Sequence, residues 1–434
     1  MKENTDDIVH EHTSLLTDGK KYIEKLGPGI ITGAADDDPS GIATYSQTGA
    51  QYGTSLLWLA VWTFPLVAMV QEMCARIALV TGRGLAANIK SVYRKEVLYI
   101  CTILLFIANT LNIGADLGAM AKAVQLLSPN IPFVFLVISM GIIGLGLQIF
   151  IPYQKYAKYL KWLVITLFSY IATGLIIHMD WGMLLRDGFI PHITFSKNQI
   201  LLITGILGTT ISPYLFFWQT SQEVEEQIAH GKTTVRSRHG TNDEEIKNMR
   251  RDVWTGMFLS NLVMFFIIAV CANTLFVNGI TNITTASDAA LALKPFAGPW
   301  ATTLFAIGII GTGMLAIPVL AGSTAYALAE SFGWKEGLHR TLRQARAFYG
   351  VIIISVIVGI IINFLGIDAI KALIYSAITN GIVAPIILIL IVHISGSKKI
   401  MGHYKNSRFG TLMGWLVITL MSITALAAVY SLLS

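Results

Sequence analysis

Two interruptions of apolar helices carry the residues that could do chemistry. In LGPGIITGAADDDPSGIATYS, three consecutive acids at 36–38 stand directly before Pro39. In ILGTTISPYLFFWQ, further along the chain, Ser212 stands directly before Pro213. Proline lacks an N–H and disfavours helix in the residue before it, so backbone carbonyls near both prolines lose their usual partners. Carboxylates beside unpaired carbonyls at membrane depth predict a cation site.

The elements that must position these residues are membrane-spanning helices. The chain has 434 residues, of which 54% are hydrophobic and 13% charged, and its mean hydropathy is +0.63. Such a composition is typical of a polytopic membrane protein. Apolar segments near the ~20 residues needed to span a bilayer predict eleven helices, of which the first and sixth are broken and the third and eighth are long. They cover 26–47, 53–79, 97–127, 132–152, 158–178, 198–228, 252–278, 297–330, 345–366, 369–394 and 411–433.

The positive charges predict the orientation of these helices. Of the 31 Lys and Arg residues, only Arg186, Lys197 and Lys294 fall in connections on the side opposite the N-terminus. Since Lys and Arg accumulate on the cytoplasmic side, we expect a plasma (inner) membrane protein with its N-terminus in the cytoplasm and its C-terminus outside. Residues 1–25 are predicted to be a cytosolic tail, and 229–251 a flexible cytosolic loop. The net charge of +6 then reflects topology and indicates no nucleic-acid partner.

The two breaks also divide the chain into similar halves. Each half contributes five helices, and an odd number of helices per repeat places the two repeats in opposite orientations. Residues 26–394 are therefore predicted to form an all-α transporter core of two inverted repeats, helices 1–5 and 6–10. Residues 395–434 add a connecting loop and the eleventh helix.

The first break and the sequence after it resemble a known family. LGPGIITGAADDDPSGIATYSQTGAQYGTSLLW, continuing into QEMCARIALVTGRGLA, is similar to the first two helices of the natural-resistance-associated macrophage protein (NRAMP) family. That family has a D-P-G-N break in helix 1 and an A-x-x-M-P-H break in helix 6. The resemblance implies a leucine-transporter-like fold and transport of divalent metal ions.

The chain departs from the family pattern at the positions that determine which metal ion is bound. Asp38 and Pro39 match, and helix 3 keeps Asp116, but Ala119 stands where a Glu is common. The Asn, Ala, Met and His positions of the two breaks hold Gly41, Thr209, Ser212 and Tyr214. These changes resemble the branch called NRAMP-related magnesium transporters. Independently, loss of the Met sulfur removes a ligand that favours softer metals.

The resemblance implies a ligand set of the Asp38 carboxylate and the Thr209 carbonyl, completed by water. Gly41 and Ser212 would leave room for a hydrated Mg²⁺, with hydroxyls of Ser40, Thr209 and Ser212 holding waters. Each residue also has a structural interpretation: Asp38 as a helix N-cap, Thr209 and Ser212 as small packing residues, and Gly41 as a residue of the unwound backbone.

Several polar residues near the breaks are assigned less specific roles. Neighbouring residues on a helix point ~100° apart, so of Asp36 and Asp37 one is expected to line an inner vestibule and the other to pair with a helix terminus. Asp116 belongs either to a proton path or to a solvated surface. Asn380 either faces the site or packs structurally, and Tyr214 is a poor proton relay because phenols ionise near pH 10.

We therefore predict a secondary transporter, and not an enzyme, that imports Mg²⁺ and also Mn²⁺ by alternating access without proton coupling. It needs no cofactor, has divalent ions and the lipid bilayer as partners, and is expected to be a monomer. A proton-coupled transporter of Mn²⁺, other transition metals or a trivalent metal remains an alternative. A sodium-coupled amino-acid carrier is disfavoured by the three acids, and an intramembrane aspartyl protease using Asp38 and Asp116 would leave the Pro213 break unexplained.

Overall fold

The computed structural model describes residues 27–151, 165–283 and 285–433, and within these ranges the chain forms helices and no strands. The predicted tail at 1–25 and the start of the predicted fifth span lie outside the described residues. Apart from 3₁₀ and π turns and α-helical turns of four residues, the helices are α1 (Pro28–Asp36), α2 (Pro39–Tyr52), α3 (Trp58–Thr81), α4 (Leu85–Val92), α5 (Lys95–Leu127), α6 (Phe133–Phe150), α7 (Phe168–Ile176), α8 (Trp181–Phe189), α9 (Lys197–Thr210), α10 (Pro213–Ala229), α11 (Asp243–Cys271), α12 (Ala286–Ala290), α13 (Ala301–Phe332), α14 (Arg346–Ile362), α15 (Ala369–Gly396) and α16 (Arg408–Leu433).

Eight of the described helical segments are long and apolar enough to cross a membrane. The remaining predicted spans correspond to the first segment, split into α1 and α2, to the part of the fifth that includes α7, and to the 17-residue α14. The third and eighth spans, α5 and α13, have 33 and 32 residues, as predicted from their long apolar runs.

Both predicted breaks are confirmed. α1 ends at Asp36 and α2 begins at Pro39, while α9 ends at Thr210 and α10 begins at Pro213. Each proline occupies the first turn of the second half-helix. Backbone N–H groups in a first turn have no acceptor within the helix, so a proline there removes no helical hydrogen bond. The chain therefore restarts as a helix immediately after each break.

The expected flexible loop at 229–251 is wrong in its second half. α11 begins at Asp243, well before the apolar run at 252–278, because the Asn242 side chain accepts a hydrogen bond of 2.8 Å from the Glu245 N–H. Acidic residues in that first turn also interact favourably with the helix dipole. The seventh helix thus extends beyond its apolar span.

The first half-helix, α1, is held tightly against α11. A Cβ on Gly33 would lie 2.4 Å from the Gly256 carbonyl oxygen, so only glycine permits this backbone contact. At the start of α1, the Asp252 carboxylate accepts hydrogen bonds from the N–H groups of Gly27 and Gly29 at 2.9 and 2.6 Å. An acidic side chain at a helix N-terminus is stabilising. These contacts hold α1 against α11 from its first residues to the turn before the break.

Candidate metal site

Four helix ends meet at the two breaks. The last carbonyls of α1 and α9 and the first N–H groups of α2 and α10 have no partner within their own helices and must find one elsewhere. Two contacts join the breaks: the Tyr214 hydroxyl donates to the Ala35 carbonyl at 3.2 Å, and a Cβ on Gly41 would lie 3.2 Å from Thr209 Oγ1. Helix carboxyl ends favour cations, so this junction suits a positively charged substrate.

Asp38 lies at the centre of the junction and is 1% exposed. Its Oδ1 accepts the Gly41 N–H at 2.7 Å, which makes it the N-cap of α2, and its Oδ2 accepts Asn112 Nδ2 at 3.0 Å. The N-cap interpretation is therefore correct, but these hydrogen bonds do not occupy all the acceptor sites of the carboxylate. Each ionised oxygen has about two lone-pair directions, so both oxygens retain acceptor capacity for a metal ion or its water.

Asn112, on α5, connects Asp38 to two further residues that the sequence placed near the site. Its Nδ2 also donates to Asp116 Oδ2 at 3.0 Å, and its Oδ1 accepts from Asn380 Nδ2 at 3.1 Å. Asp116 is fully buried, so the solvated alternative for it is wrong. Asn380 reaches Asp38 through a single intervening amide. Asn112 was missed from sequence, although it lies four residues before Asp116 on the same face of an apolar helix.

Asp36 and Asp37 face the opposite side, towards α11. The Ser260 hydroxyl lies 2.6 Å from Asp36 Oδ2 and 3.3 Å from Asp37 Oδ1. Both acids are buried, at 0% and 2% exposure, so neither lines an open vestibule in this conformation. That expectation fails because α1 is pressed against α11. Ser260 was also missed, since a serine in an apolar segment gives little signal of its own.

At the second break, a side-chain hydroxyl provides the hydrogen-bond donor that the helix-end carbonyls lack. Ser212 Oγ lies 2.6 Å from the carbonyl oxygens of both Gly208 and Thr209. The Thr209 carbonyl needs such a donor because the residue four positions later is Pro213, which has no N–H. Ser212 is thus engaged with the carbonyl that was predicted to bind the metal, and its hydroxyl is less free to hold water than expected.

The room expected at Gly41 is not open in this conformation. A Cβ there would meet Thr209 Oγ1 at 3.2 Å, the Tyr45 ring at 3.3 Å and the Asp36 carbonyl oxygen at 3.4 Å. Neighbouring groups therefore occupy the space that a side chain at residue 41 would take. Ser40 is fully buried beside it.

Several buried oxygens at the junction have no hydrogen-bond partner within the described residues. They are Asp36 Oδ1, Ser40 Oγ, Tyr45 Oη, Asp116 Oδ1 and Asn380 Oδ1. Buried polar atoms are rarely left unpaired, so this cluster is chemically fit to receive a cation or its waters. In the described part of the chain, however, no three His, Cys, Asp or Glu side chains converge on one point. A metal here would depend on backbone carbonyls, hydroxyls, amides and water as well as carboxylate.

Comparison with known proteins identifies the family. The profile of the natural resistance-associated macrophage protein-like family matches residues 29–431. A divalent metal cation transporter, MntH, from Caldanaerobacter subterraneus subsp. tengcongensis is 24% identical over 412 residues, covering 93% of this chain and 92% of the relative.

Solved structures share the fold. A crystal structure of the Eremococcus coleocola manganese transporter, in complex with an aromatic bis-isothiourea substituted compound, superposes with a TM-score of 0.72 at 18% identity, covering 95% of this chain and 87% of that one. A nucleobase-cation-symport-1 family transporter, closed with bromovinylhydantoin bound, gives 0.56 at 14% identity, covering 94% and 91%. The predicted leucine-transporter-like architecture is confirmed. The match over nearly the whole chain shows that this protein belongs to the natural resistance-associated macrophage protein-like (NRAMP) family.

Proposed function

We propose that this protein is a secondary divalent metal transporter that imports Mg²⁺, and also Mn²⁺, by alternating access and without proton coupling. The observation that carries the proposal is the cluster of buried carboxyl groups at the junction. Asp36, Asp37, Asp38 and Asp116 are all buried, and none has an ion-pair partner within the described residues. Buried charges are normally paired or coordinate a metal, so a cation is the natural counterpart of this cluster.

The chemistry of the donors supports a hard ion. Carboxylate, carbonyl, hydroxyl and water suit Mg²⁺ and Mn²⁺, whereas a thioether favours softer metals. This chain offers Asp38, the Thr209 carbonyl and the hydroxyls around them, and has Ser212 where the family commonly has a methionine. The relatives are named for divalent metal cations and the structural neighbour for manganese, which supports a divalent substrate here.

The proposal of uncoupled transport rests on the groups beside the metal. Ala119 and Tyr214 occupy positions of an acid and a histidine in the family pattern, and the Tyr214 hydroxyl donates to the Ala35 carbonyl. The membrane potential contributes ~2.3 kcal/mol per charge per 100 mV, so a divalent ion gains about twice that on entering a negative cytosol. That gradient supports uptake without protons.

A proton-coupled alternative is favoured by one observation. Asp116 is buried, is linked to Asp38 through Asn112, and keeps one oxygen that has no partner among the described residues. A proton leaving this carboxyl as metal binds at Asp38 would couple the two movements.

Alternating access requires the junction to open to each side in turn. Asp38, Thr209 and Ser212 are each at most 1% exposed, so the described conformation is closed around the site. The proposal includes the predicted organisation: a monomer with its core at 26–394, its N-terminus in the cytoplasm and its C-terminus outside.

The deciding experiment measures Mg²⁺ or Mn²⁺ entry and internal pH together in proteoliposomes. We expect metal entry driven by an inside-negative potential with no matching change in internal pH. Empty vesicles and the Asp38→Ala variant are the controls. Acidification in proportion to metal entry, lost in both controls, would replace the uncoupled transporter by the proton-coupled one.

A further inference from the structure

A cavity that shares no lining residue with the metal site lies on the face that carries the Lys- and Arg-rich connections. It has a volume of about 760 Å³ and is enclosed by the end of α3, the start of α11 and the connection from α15 to α16. Its size falls in the range of small-molecule sites, about 300–1,000 Å³. From its lining, we infer that it binds the phosphate headgroup of an anionic phospholipid.

The lining is cationic. Arg76, Lys247, Arg250 and Lys405 line the cavity, against the two carboxylates of Glu72 and Asp243. Neither lysine has a hydrogen bond or ion-pair partner within the described ranges, and both are exposed. Clusters of Lys and Arg beside the cytoplasmic end of membrane helices attract anionic lipid headgroups.

Both carboxylates are already engaged, so they oppose an anion less than their number suggests. Glu72 Oε1 lies 3.3 Å from Arg76 Nη1 and 2.9 Å from Arg250 Nη2, and Glu72 Oε2 accepts the Trp254 indole N–H at 2.9 Å. The Asp243 carboxylate accepts the Tyr404 hydroxyl at 3.0 Å.

Donors remain for a phosphate. Arg76 is 9% exposed, and its Nε–H, which has no partner within the described part of the chain, is itself buried, so Arg76 adds positive charge to the cavity but no accessible donor. Another of its guanidinium nitrogens donates to Asn406, in the connection to α16. Arg250 uses one nitrogen on Glu72 and has a side chain that is 54% exposed. Guanidinium groups bind phosphate in paired hydrogen bonds, so Arg250 can bind a headgroup, and the exposed Lys247 and Lys405 add further donors.

Exposed apolar side chains adjoin the cavity, and some of them lie on the apolar segment that includes α11, which favours a lipid over free phosphate. Trp254 and Phe409 line the cavity, and Phe409 is 64% exposed. One turn beyond Trp254, Phe258 is 49% exposed and packs with Phe64, whose ring also contacts Trp254. A tryptophan at the boundary of polar and apolar surface is typical of the membrane interface. Free phosphate would make no use of this surface, whereas an acyl chain would cover it.

The test compares two double variants that remove the same charge. Lys247→Ala with Lys405→Ala acts inside the cavity, while Lys398→Ala with Lys399→Ala removes two exposed lysines on the same face outside it. The purified full-length protein in detergent is titrated with dioctanoyl-phosphatidylglycerol, and bound lipid is counted by native mass spectrometry. Dioctanoyl-phosphatidylcholine and inorganic phosphate are titrated in parallel.

We expect saturable phosphatidylglycerol binding that weakens by about tenfold or more in the cavity variant and is unchanged in the control variant. Phosphatidylcholine should bind more weakly than phosphatidylglycerol, and inorganic phosphate should not displace the lipid at equal concentration. Equal weakening in both variants would show attraction to the whole face and overturn the inference. Full displacement by inorganic phosphate would overturn the assignment to a lipid.

Discussion

Asp38→Asn separates the two roles that the structure gives to Asp38. As an N-cap, Asp38 accepts the Gly41 N–H at 2.7 Å, and asparagine caps a helix about as well as aspartate. As a metal ligand, Asp38 supplies a negative charge that asparagine lacks. If Asp38 only capped α2, the variant would transport normally. We expect instead that uptake is lost while the protein remains folded.

The magnitude follows from the surroundings of the carboxylate. Removing one partner of a buried charge pair costs about 3–5 kcal/mol, which corresponds to about a hundredfold to a few thousandfold in metal affinity at 1.4 kcal/mol per factor of ten. The cost in stability is smaller. In Asp38→Asn, the new side-chain NH₂ would face Asn112 Nδ2, so two donors would meet where Asn112 now donates to Asp38. Asn112 cannot turn its Oδ1 towards residue 38 without losing the hydrogen bond from Asn380. One lost hydrogen bond costs about 1 kcal/mol.

The assay is Mg²⁺ and Mn²⁺ uptake into proteoliposomes, with thermal unfolding of the same preparations as the measure of folding. Asp38→Ala is the companion variant, since it removes both the cap and the charge and costs about 1 kcal/mol more at the helix start. We expect both variants to be inactive and Asp38→Asn to unfold at the higher temperature. Normal uptake by Asp38→Asn would refute the assignment of Asp38 as the charged ligand.

Three further changes test separate parts of the site and the fold. Ser212→Met should shift preference from Mg²⁺ towards Cd²⁺, since a thioether favours softer ions; an unchanged ratio of Mg²⁺ to Cd²⁺ uptake would exclude residue 212 from contact with the ion. Ser260→Ala takes the donor from Asp36 Oδ2 and should lower the free energy of unfolding by about 1–3 kcal/mol, and an unchanged thermal midpoint would show that this hydrogen bond is not needed. In the loop after α13, burial and the Glu330 carboxylate raise the pKa of Glu336 from 4.5 to about 9. Because the pKa of Glu336 is higher in the folded state, its contribution to the free energy of unfolding is fully present below about pH 4.5 and is lost as the pH rises through about 9. The thermal unfolding midpoint should therefore fall as the pH is raised, and should fall less in Glu336→Gln. Parallel pH profiles of the two proteins would contradict this prediction.

The breaks and the broad class were predictable from sequence because they depend on local chemistry. A proline fixes where a helix restarts, so Asp38–Pro39 and Ser212–Pro213 could be located without any tertiary information. Apolar length likewise indicates which segments span a membrane. The i, i+4 spacing of Glu72 and Arg76 on one helix is likewise local, and it brings the two side chains to 3.3 Å.

The partners of the acids could not be predicted, because they come from other helices. Asn112 and Ser260 lie in apolar segments where nothing local says which face meets which neighbour. The closed state of Gly41 depends on how near Thr209 approaches from the other repeat. Family resemblance indicates the positions of the proposed ligands, but the contacts that hold them, such as Ser212 Oγ on the Thr209 carbonyl at 2.6 Å, depend on the assembled fold.

The central claim is that a hard divalent ion crosses the membrane at Asp38. Its most direct test is a competition series in proteoliposomes, with uptake of Mg²⁺ measured against Mn²⁺, Ca²⁺, Zn²⁺ and Cd²⁺ in wild-type protein and in Asp38→Asn. The donor set predicts that Mn²⁺ competes with Mg²⁺, that Zn²⁺ and Cd²⁺ compete more weakly than Mn²⁺, and that the variant carries none of them. Transport of Cd²⁺ or Zn²⁺ in preference to Mg²⁺ by the wild-type protein would contradict the account.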